Sequence, residues 1–461
     1  MNIDTLLASK VRVGVTGFSR SGKTVFICSL AQALLTADAW RAKRGNGPLA
    51  GFAPFDRRQF SHARINRRAN SNGLPEFQLD AIRDVMVGSD ARWPNRTEGI
   101  SRLTLDLASN STRWPTSILK GPFGSVGYGV VQLELVDYPG EWLIDLPMLS
   151  QDFSQWSEGV LRLAKTDVRR EPSEPYFAWL SRIATSGSSG TQLIDEAASL
   201  WADYLNAAAR AGLPFNQPGM AVCPDSTRDP ALFRLAPLPT RDFPEVLVAE
   251  MQKRFERYKK EVVKPFYKDH FSRIDCQIVL VDLLRVLEAG KGHYDDLVAA
   301  QRALIPSFNY SKGGPLDWIG GVRTTRVLFA ATKADHVVKS DRQNLSELLR
   351  KMLRYVDVDK VLRWSTKAID TIALCSVRAT EDYRKKILPQ REILLGKPAN
   401  EAEDGPWDPG GLPLEIPPDW DSFAFRFLRF EPRPMPDAYG SGFPSIHLGR
   451  ALDFLIGDKF K

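Results

Sequence analysis

Six apolar runs stand out along the chain, each too short for a globular helix. Val11 to Thr16 (VRVGVT) reads as a buried strand. Ile100–Leu107 (ISRLTLDL) and Tyr128–Val136 (YGVVQLELV) alternate apolar and polar positions, the period of a pleated ribbon. The Pro/Gly/Ser-rich link TSILKGPFGSVG between them predicts a hairpin at a sheet edge. Cys276–Leu284 (CQIVLVDLL) is almost continuously apolar, as expected of a parallel strand covered on both faces. Arg326–Ala331 (RVLFAA) and Thr371–Leu374 (TIAL) complete the set, and Phe423–Phe430 (FAFRFLRF) predicts a last strand.

Between these runs the pattern changes to a helical period. Gln155–Asp167, Glu174–Thr185, Thr191–Ala211 and Phe243–Phe271 fill the interval from Gly140 to Cys276. In the last of them Leu247, Met251, Phe255, Tyr258, Val262 and Phe266 recur at helical spacing, a stripe expected to form core. One linking helix could not need so many residues. The expected architecture is therefore an α/β sheet flanked by helices, spanning 1–145 and 274–461. A large all-helical insertion domain occupies 146–273, roughly Leu146 to Arg273. Ser445–Leu455 predicts a terminal amphipathic helix, Gly396 to Asp421 reads as an acidic Pro/Gly-rich surface loop, and no internal repeat is apparent.

Composition narrows the class. With 461 residues, 43% hydrophobic and 25% charged, the chain can build a large core and more than one domain. Its net charge of +7 is a mild excess for that length. Five arginines crowd Asp56 to Arg68 (DRRQFSHARINRR), but without interleaved aromatics they read as a solvated helix or loop, and no nucleic-acid partner is expected. Cys28, Cys223, Cys276 and Cys375 are scattered and predict reduced, buried thiols. No apolar run approaches the ~18–20 residues of a membrane span, and MNIDTLLASK lacks a signal-peptide pattern, so a soluble cytoplasmic protein is expected.

The chemistry begins where the first strand ends. Gly17-Phe18-Ser19-Arg20-Ser21-Gly22-Lys23-Thr24 matches GxxxxGK[ST] between a strand and a helix, the context that motif requires. Backbone amides of Phe18, Ser19, Arg20, Ser21, Gly22, Lys23, Thr24 and Val25 can wrap a phosphate chain, helped by the positive end of the helix dipole. Lys23 can reach the β- and γ-phosphates, and the Thr24 hydroxyl can ligate Mg²⁺. The other reading, a tight glycine turn, explains neither Lys23 nor Thr24.

Later motifs follow in order. Asp137-Tyr138-Pro139-Gly140 is a DxxG at a strand end, where Asp137 can serve the Mg²⁺ shell and the Gly140 amide the γ-phosphate. Thr332-Lys333-Ala334-Asp335 matches [NT]KxD: a carboxylate at Asp335 can accept from guanine N1–H and N2–H₂, donors that adenine lacks, while the Lys333 stem covers the base and His336 follows. Ser376, Val377 and Arg378, in CSVR, stand where backbone amides can meet the guanine carbonyl. In the loop WPNRTEG, Thr97 is the candidate second Mg²⁺ hydroxyl, and Arg96 or Arg92 could bring charge to the γ-phosphate or simply face water.

Taken together, GFSRSGKT, DYPG, TKAD and CSVR resemble the TRAFAC-type GTPases, which implies that the α/β sheet flanked by helices is a Ras-like P-loop NTPase fold. DYPGEWLIDLP, the WPNRT loop and the large insertion make the chain similar, over most of its length, to the bacterial YcjX-like family of stress-associated P-loop GTPases. That resemblance implies GTP and GDP binding with Mg²⁺, slow GTP hydrolysis, a link to envelope stress and a membrane-protein or regulatory partner reached through the helical insertion. Glu141, following the DxxG, departs from small GTPases that carry a catalytic glutamine there, and its charge would repel a γ-phosphate. An ATP-dependent kinase or ATPase and a nucleotide-binding scaffold with negligible hydrolysis stay open as rivals.

Overall fold

The computed structural model describes residues 9–43, 47–70, 74–95, 99–110, 129–186, 190–224, 228–308, 325–356, 368–384, 392–399, 401, 403–420, 425–435 and 437–460. Seven strands form one sheet: β1 (Ser9–Gly17), β2 (Phe60–Ile65), β3 (Ser101–Ser109), β4 (Gly129–Asp137), β5 (Cys276–Val281), β6 (Arg326–Ala331) and β7 (Ala368–Ala373), in the order β2-β3-β4-β1-β5-β6-β7. The pairs β4–β1, β1–β5, β5–β6 and β6–β7 are parallel, while β2 and β3 add an antiparallel edge. The chain leaves β1 for β4 on one side and later returns to β5 on the other. That reversal opens a crevice beyond the carboxyl end of β1, the ordinary ligand position of such sheets.

Both faces of the sheet are covered, and the strand sequences show why. Along β5 and β6, Val279, Val281, Val327 and Phe329 enter one apolar core, while Ile278, Leu280, Leu328 and Ala330 enter the other. A period of two with no polar face demands helices on both sides. One side carries α1 (Lys23–Leu35) and the C-terminal Leu448–Ile456 helix. On the other lie α2 (Phe153–Ala164), α3 (Asp167–Ser186), α4 (Thr191–Ala211) and α5 (Glu245–Tyr258). With them pack α6 (Leu283–Ala289) and α7 (Lys291–Leu304). Trp156, Trp201, Phe255 and Phe266 of the helical segment therefore belong to the same continuous core as sheet residues Val279 and Phe329.

Local chemistry sets several boundaries. Asp152 and Gln155 form a capping box that starts α2, with bonds of 2.8 and 3.1 Å. Beyond α5 the helix passes through a π turn, Lys259–Val263, before Lys264–Asp269. Four expectations need correction. Leu283 and Leu284 are not strand: the Asp282 carboxylate accepts from the Arg285 amide and starts α6. The arginine-rich segment is not a solvated helix or loop alone, because Phe60–Ile65 is edge strand β2, with Phe60 buried and His62 and Arg64 outward. The stretch Gly396 to Asp421 is not all loop: Gly405–Trp407 pairs with Glu392–Gly396, which pairs with Thr380–Arg384. Among the described residues 425–430 no strand forms. Phe425 and Phe427 instead stack on each other, ring centroids 5.8 Å apart, and Phe425 meets Trp420 at 6.0 Å. The predicted hairpin link lies outside the described residues. All four cysteines are free and buried, and no helix among the described residues is long and apolar enough to cross a membrane.

Candidate functional site

Strand β1 delivers the phosphate-loop motif to the crevice. Its last residue, Gly17, aligns with Leu280 of β5, while Val15 aligns with Asp137 at the end of β4. The loop closes with Ser21 N–H donating to Phe18 O at 3.1 Å. Gly22 then caps α1 at φ +92°, a left-handed conformation that glycine adopts without strain. Its carbonyl accepts the first helical bond, from Phe26 N–H at 2.8 Å. The Lys23 ammonium is buried and donates to the carbonyls of Gly17 (2.7 Å) and Phe18 (3.3 Å), across the loop. The Ser21 hydroxyl, 2% exposed, has no hydrogen-bond partner among the described residues and lines the cleft in front of α1. An unpartnered buried hydroxyl beside a helix N-terminus suits an anionic ligand.

At the second residue of α1, the Thr24 hydroxyl donates to Asp137 Oδ2 at 3.3 Å. A hydroxyl and a buried carboxylate are hard oxygen donors, the kind of pair that Mg²⁺ shares with phosphate oxygens. Gly140 packs directly against the loop: a Cβ placed there would lie 2.0 Å from Gly17 O.

At the far end, β6 runs out into the TKAD turn. The Ala334 amide donates to Leu374 O at 3.1 Å, tying the turn to the end of β7. Lys333 adopts φ +60° and its ammonium pairs with Asp282 Oδ2 at 2.5 Å. The Asp335 carboxylate accepts from the Ala379 amide at 2.8 Å, and its backbone carbonyl accepts from the Thr380 hydroxyl. His336 packs edge-on against Phe430, centroids 5.1 Å apart, and burial lowers its pKa below the usual histidine value. The hydroxyl of Ser29 in α1 donates to Ser376 O at 2.5 Å, binding the CSVR loop to the phosphate-loop helix.

These two ends share one cleft of about 770 Å³. Ser19, Arg20, Ser21, Gly22, Lys23, Thr24 and Val25 line it, as do Lys333, Asp335, His336, Ser376 and Val377. Phe18 and Arg378 do not. Phe18 contributes its carbonyl to Lys23. The Arg378 amide is spent on Pro444 O at 2.8 Å, and its guanidinium pairs with Asp382 at 3.1 Å. Asp137 and Gly140 stand behind the loop, in contact with Thr24 and Gly17. Arg96 and Thr97 lie outside the described residues, but Trp93, Pro94 and Asn95 just before them line the cleft.

The order of motifs, the single cleft and the sheet all point to one lineage, and a family model decides it: the model of the YcjX-like family, DUF463, matches residues 11–460. The chain belongs to the YcjX-like family. Among its relatives, a protein of Escherichia coli K12 named Ras-like GTPase YcjX is 33% identical over 467 residues, covering 98% of this chain and 96% of the relative. A protein of the same name from Shewanella oneidensis MR-1 is 28% identical, covering 98% and 95%. This YcjX-like chain thus has the P-loop NTPase α/β fold.

Some cleft residues carry no motif. Asp282 anchors Lys333, and an acid ending an apolar strand is a signal that could have drawn attention to it. Asn206, Ala209 and Arg210, from the end of α4, and Arg285 and Glu288, on α6, also line the cleft. Nothing in the amphipathic pattern of α4 distinguishes Arg210 from a solvated arginine. Phe427 to Phe430 supply a wall, packing that the strand-like alternation of that run disguised.

Proposed function

We propose that this YcjX-like chain is a GTP-binding regulatory protein that hydrolyses GTP slowly to GDP with Mg²⁺. What supports the reading most is that one cleft joins the GxxxxGKT loop to the Asp335 carboxylate, the donor-seeking group that separates guanine from adenine. Amides of the loop, Lys23 and the N-terminus of α1 would hold the phosphates; Thr24 and Asp137, with Thr97, would hold Mg²⁺. The metal, when bound, neutralises charge on the transferring phosphoryl group. Lys333 would cover the base, Asp335 read it, and the Ser376–Val377 backbone meet its carbonyl.

Nucleotide state would pass to the helical segment 146–273 through the residues after the DxxG. Gly140 touches the phosphate loop, and Gly219 of the segment abuts the next residue, a Cβ there lying 1.8 Å from Glu141 O. Asp145 accepts from the Gly219 and Met220 amides (2.7 and 3.2 Å) and from the Tyr258 hydroxyl (2.6 Å). A membrane-protein or regulatory partner reading that segment, in a role in the envelope stress response, completes the proposal. Glu141 lines the cleft as a carboxylate and favours a second reading, a GTP- or GDP-dependent scaffold without turnover.

Calorimetric titration with Mg²⁺-GTP, Mg²⁺-GDP and Mg²⁺-ATP tests binding. Guanine nucleotides should bind and ATP should not, Lys23→Ala should abolish uptake, and Asp335→Asn should remove the preference for guanine. Equal affinity for ATP overturns the base-reading assignment. Phosphate release, with and without cell-envelope extract, separates GTPase from scaffold.

A further inference from the structure

We infer that Arg210, at the end of the helical segment's α4, is a phosphate-contacting arginine of the nucleotide site, so that the segment completes that site in cis. The inference rests on the guanine-nucleotide reading above and deepens it.

Three observations carry it. First, Arg210 lines the same cleft as Lys23 and Thr24, with Asn206 and Ala209 beside it. Second, Arg210 has no ion pair among the described residues, whereas the other basic groups of the motifs are committed: Lys333 to Asp282, Lys23 to two loop carbonyls. Third, the last turn of α4 is fixed rather than frayed. Gly212 caps it at φ +89°, and Leu213 N–H returns to Ala208 O at 3.0 Å. Gly212 also abuts Arg285 of α6, a Cβ there lying 2.6 Å from Nη2. Further back, the Trp201 indole donates to Gln217 O at 3.0 Å, and the Tyr204 hydroxyl accepts from buried Arg169 at 2.9 Å.

Arg285 and Arg429 also line the cleft without an ion pair among the described residues, but Arg210 is the one that the helical segment brings to it. An unpaired guanidinium at the wall of such a cleft has two ordinary explanations. At the end of a helix it is favoured by the dipole and can rest in water. Facing a triphosphate, its planar fork matches two phosphate oxygens and stabilises the charge that develops during transfer. The dipole accounts for a cation at this helix end, but not for its opening onto the one cleft that holds both nucleotide motifs.

The test compares binding of a fluorescent GDP analogue, with Mg²⁺, in the absence and presence of aluminium fluoride, which together mimic the transferring phosphoryl group. The full-length wild type is expected to bind at least tenfold more tightly with aluminium fluoride. Arg210→Ala should lose that gain while its affinity for GDP alone changes less than threefold, and Arg210→Lys should recover only part of it. An Arg210→Ala protein that keeps the gain overturns the inference, as does a wild type that shows none. Failure of the wild type to bind GDP at all overturns the guanine-nucleotide reading instead. Because Arg210 is exposed, an unchanged melting temperature is expected in both variants, and a parallel loss of GDP affinity and melting temperature would assign it a structural role.

Discussion

Gly140 and Gly17 meet backbone to backbone: a Cβ added to Gly140 would fall 2.0 Å from the Gly17 carbonyl oxygen and 3.1 Å from the Phe18 nitrogen. The strand-end turn and the phosphate loop are therefore in contact without a side chain between them. Gly140→Ala must push the two apart. The segment it opens, Gly140–Ser150, is buried almost throughout, so the displacement disturbs core as well as loop. A cost of about 1–3 kcal/mol is expected, as for other overpacked sites, read as a lower urea midpoint. Nucleotide affinity should fall in the same variant. Full stability with wild-type affinity would mean the two loops move independently.

Lys333 and Asp282 give a second test. Lys333 sits at φ +60° with its ammonium 2.5 Å from Asp282, whose carboxylate also starts α6. Asparagine is an equally good helix start, so Asp282→Asn removes the ion pair while sparing the cap. Its melting temperature should stay near wild type. Guanine-nucleotide affinity, measured by calorimetry, should drop on the order of tenfold, the equivalent of one lost charged hydrogen bond. Unchanged affinity would show that Lys333 needs no anchor.

Asp145 predicts a pH effect with a definite sign. Burial pushes its pKa up from 3.8 to about 7, against the opposing pull of its bonds from Tyr258, Gly219 and Met220. The folded protein thus binds this proton more tightly than the unfolded chain does. Its contribution to stability is complete below pH 3.8 and is lost as pH rises through about 7. His270, His336 and His447, whose pKa values burial lowers, act the other way: their contribution is present above pH 6.5 and is lost as pH falls below it. The wild-type slope mixes both effects, so the difference between wild type and Asp145→Asn isolates the carboxyl. From urea unfolding, the wild type should lose about 2–3 kcal/mol relative to the variant between pH 5 and 8. A difference that does not vary with pH would mean Asp145 stays ionised.

How much of this was readable beforehand depends on whether a local pattern or a tertiary contact did the work. Arg326–Ala331 was legible to the residue because both faces are covered and every position but the first is buried. The phosphate loop and TKAD were legible because their backbone geometry requires particular residues at fixed spacing. Phe60–Ile65 was hidden because a register shift between Phe60 and Ala63 breaks the period of two, so that Phe60, Ala63 and Ile65 face the core while His62 and Arg64 are exposed. Phe425 and Phe427 mimic a strand because they cover a core edge from an irregular backbone. Arg210 could not be singled out at all: its placement in the cleft depends on how α4 packs, through Trp201, Tyr204 and Gly212, and no short-range signal encodes that.

The packing of α4 leads to a last prediction. Arg169 of α3, fully buried, forms a two-pronged ion pair with Asp296 of α7, at 2.6 and 2.8 Å. The same guanidinium donates to the Tyr204 hydroxyl of α4, to Asn216 Oδ1 (3.2 Å) and to Phe215 O (2.7 Å). Phe215 N–H in turn donates to Asp296 Oδ2 at 3.2 Å. One buried pair therefore fastens α3 and α4 to α7. Asp296→Asn leaves the guanidinium charge buried and unbalanced, with an expected cost of about 3–5 kcal/mol by urea denaturation. Arg169→Met orphans the carboxylate and should cost a similar amount. Combined, the two losses should fall well short of their sum, because each variant alone already breaks the pair. Hydrogen exchange should rise first in α4 and α7. Additivity within about 0.5 kcal/mol would show that the two groups are bonded but not coupled, and that α3 and α4 are held to α7 by apolar packing alone.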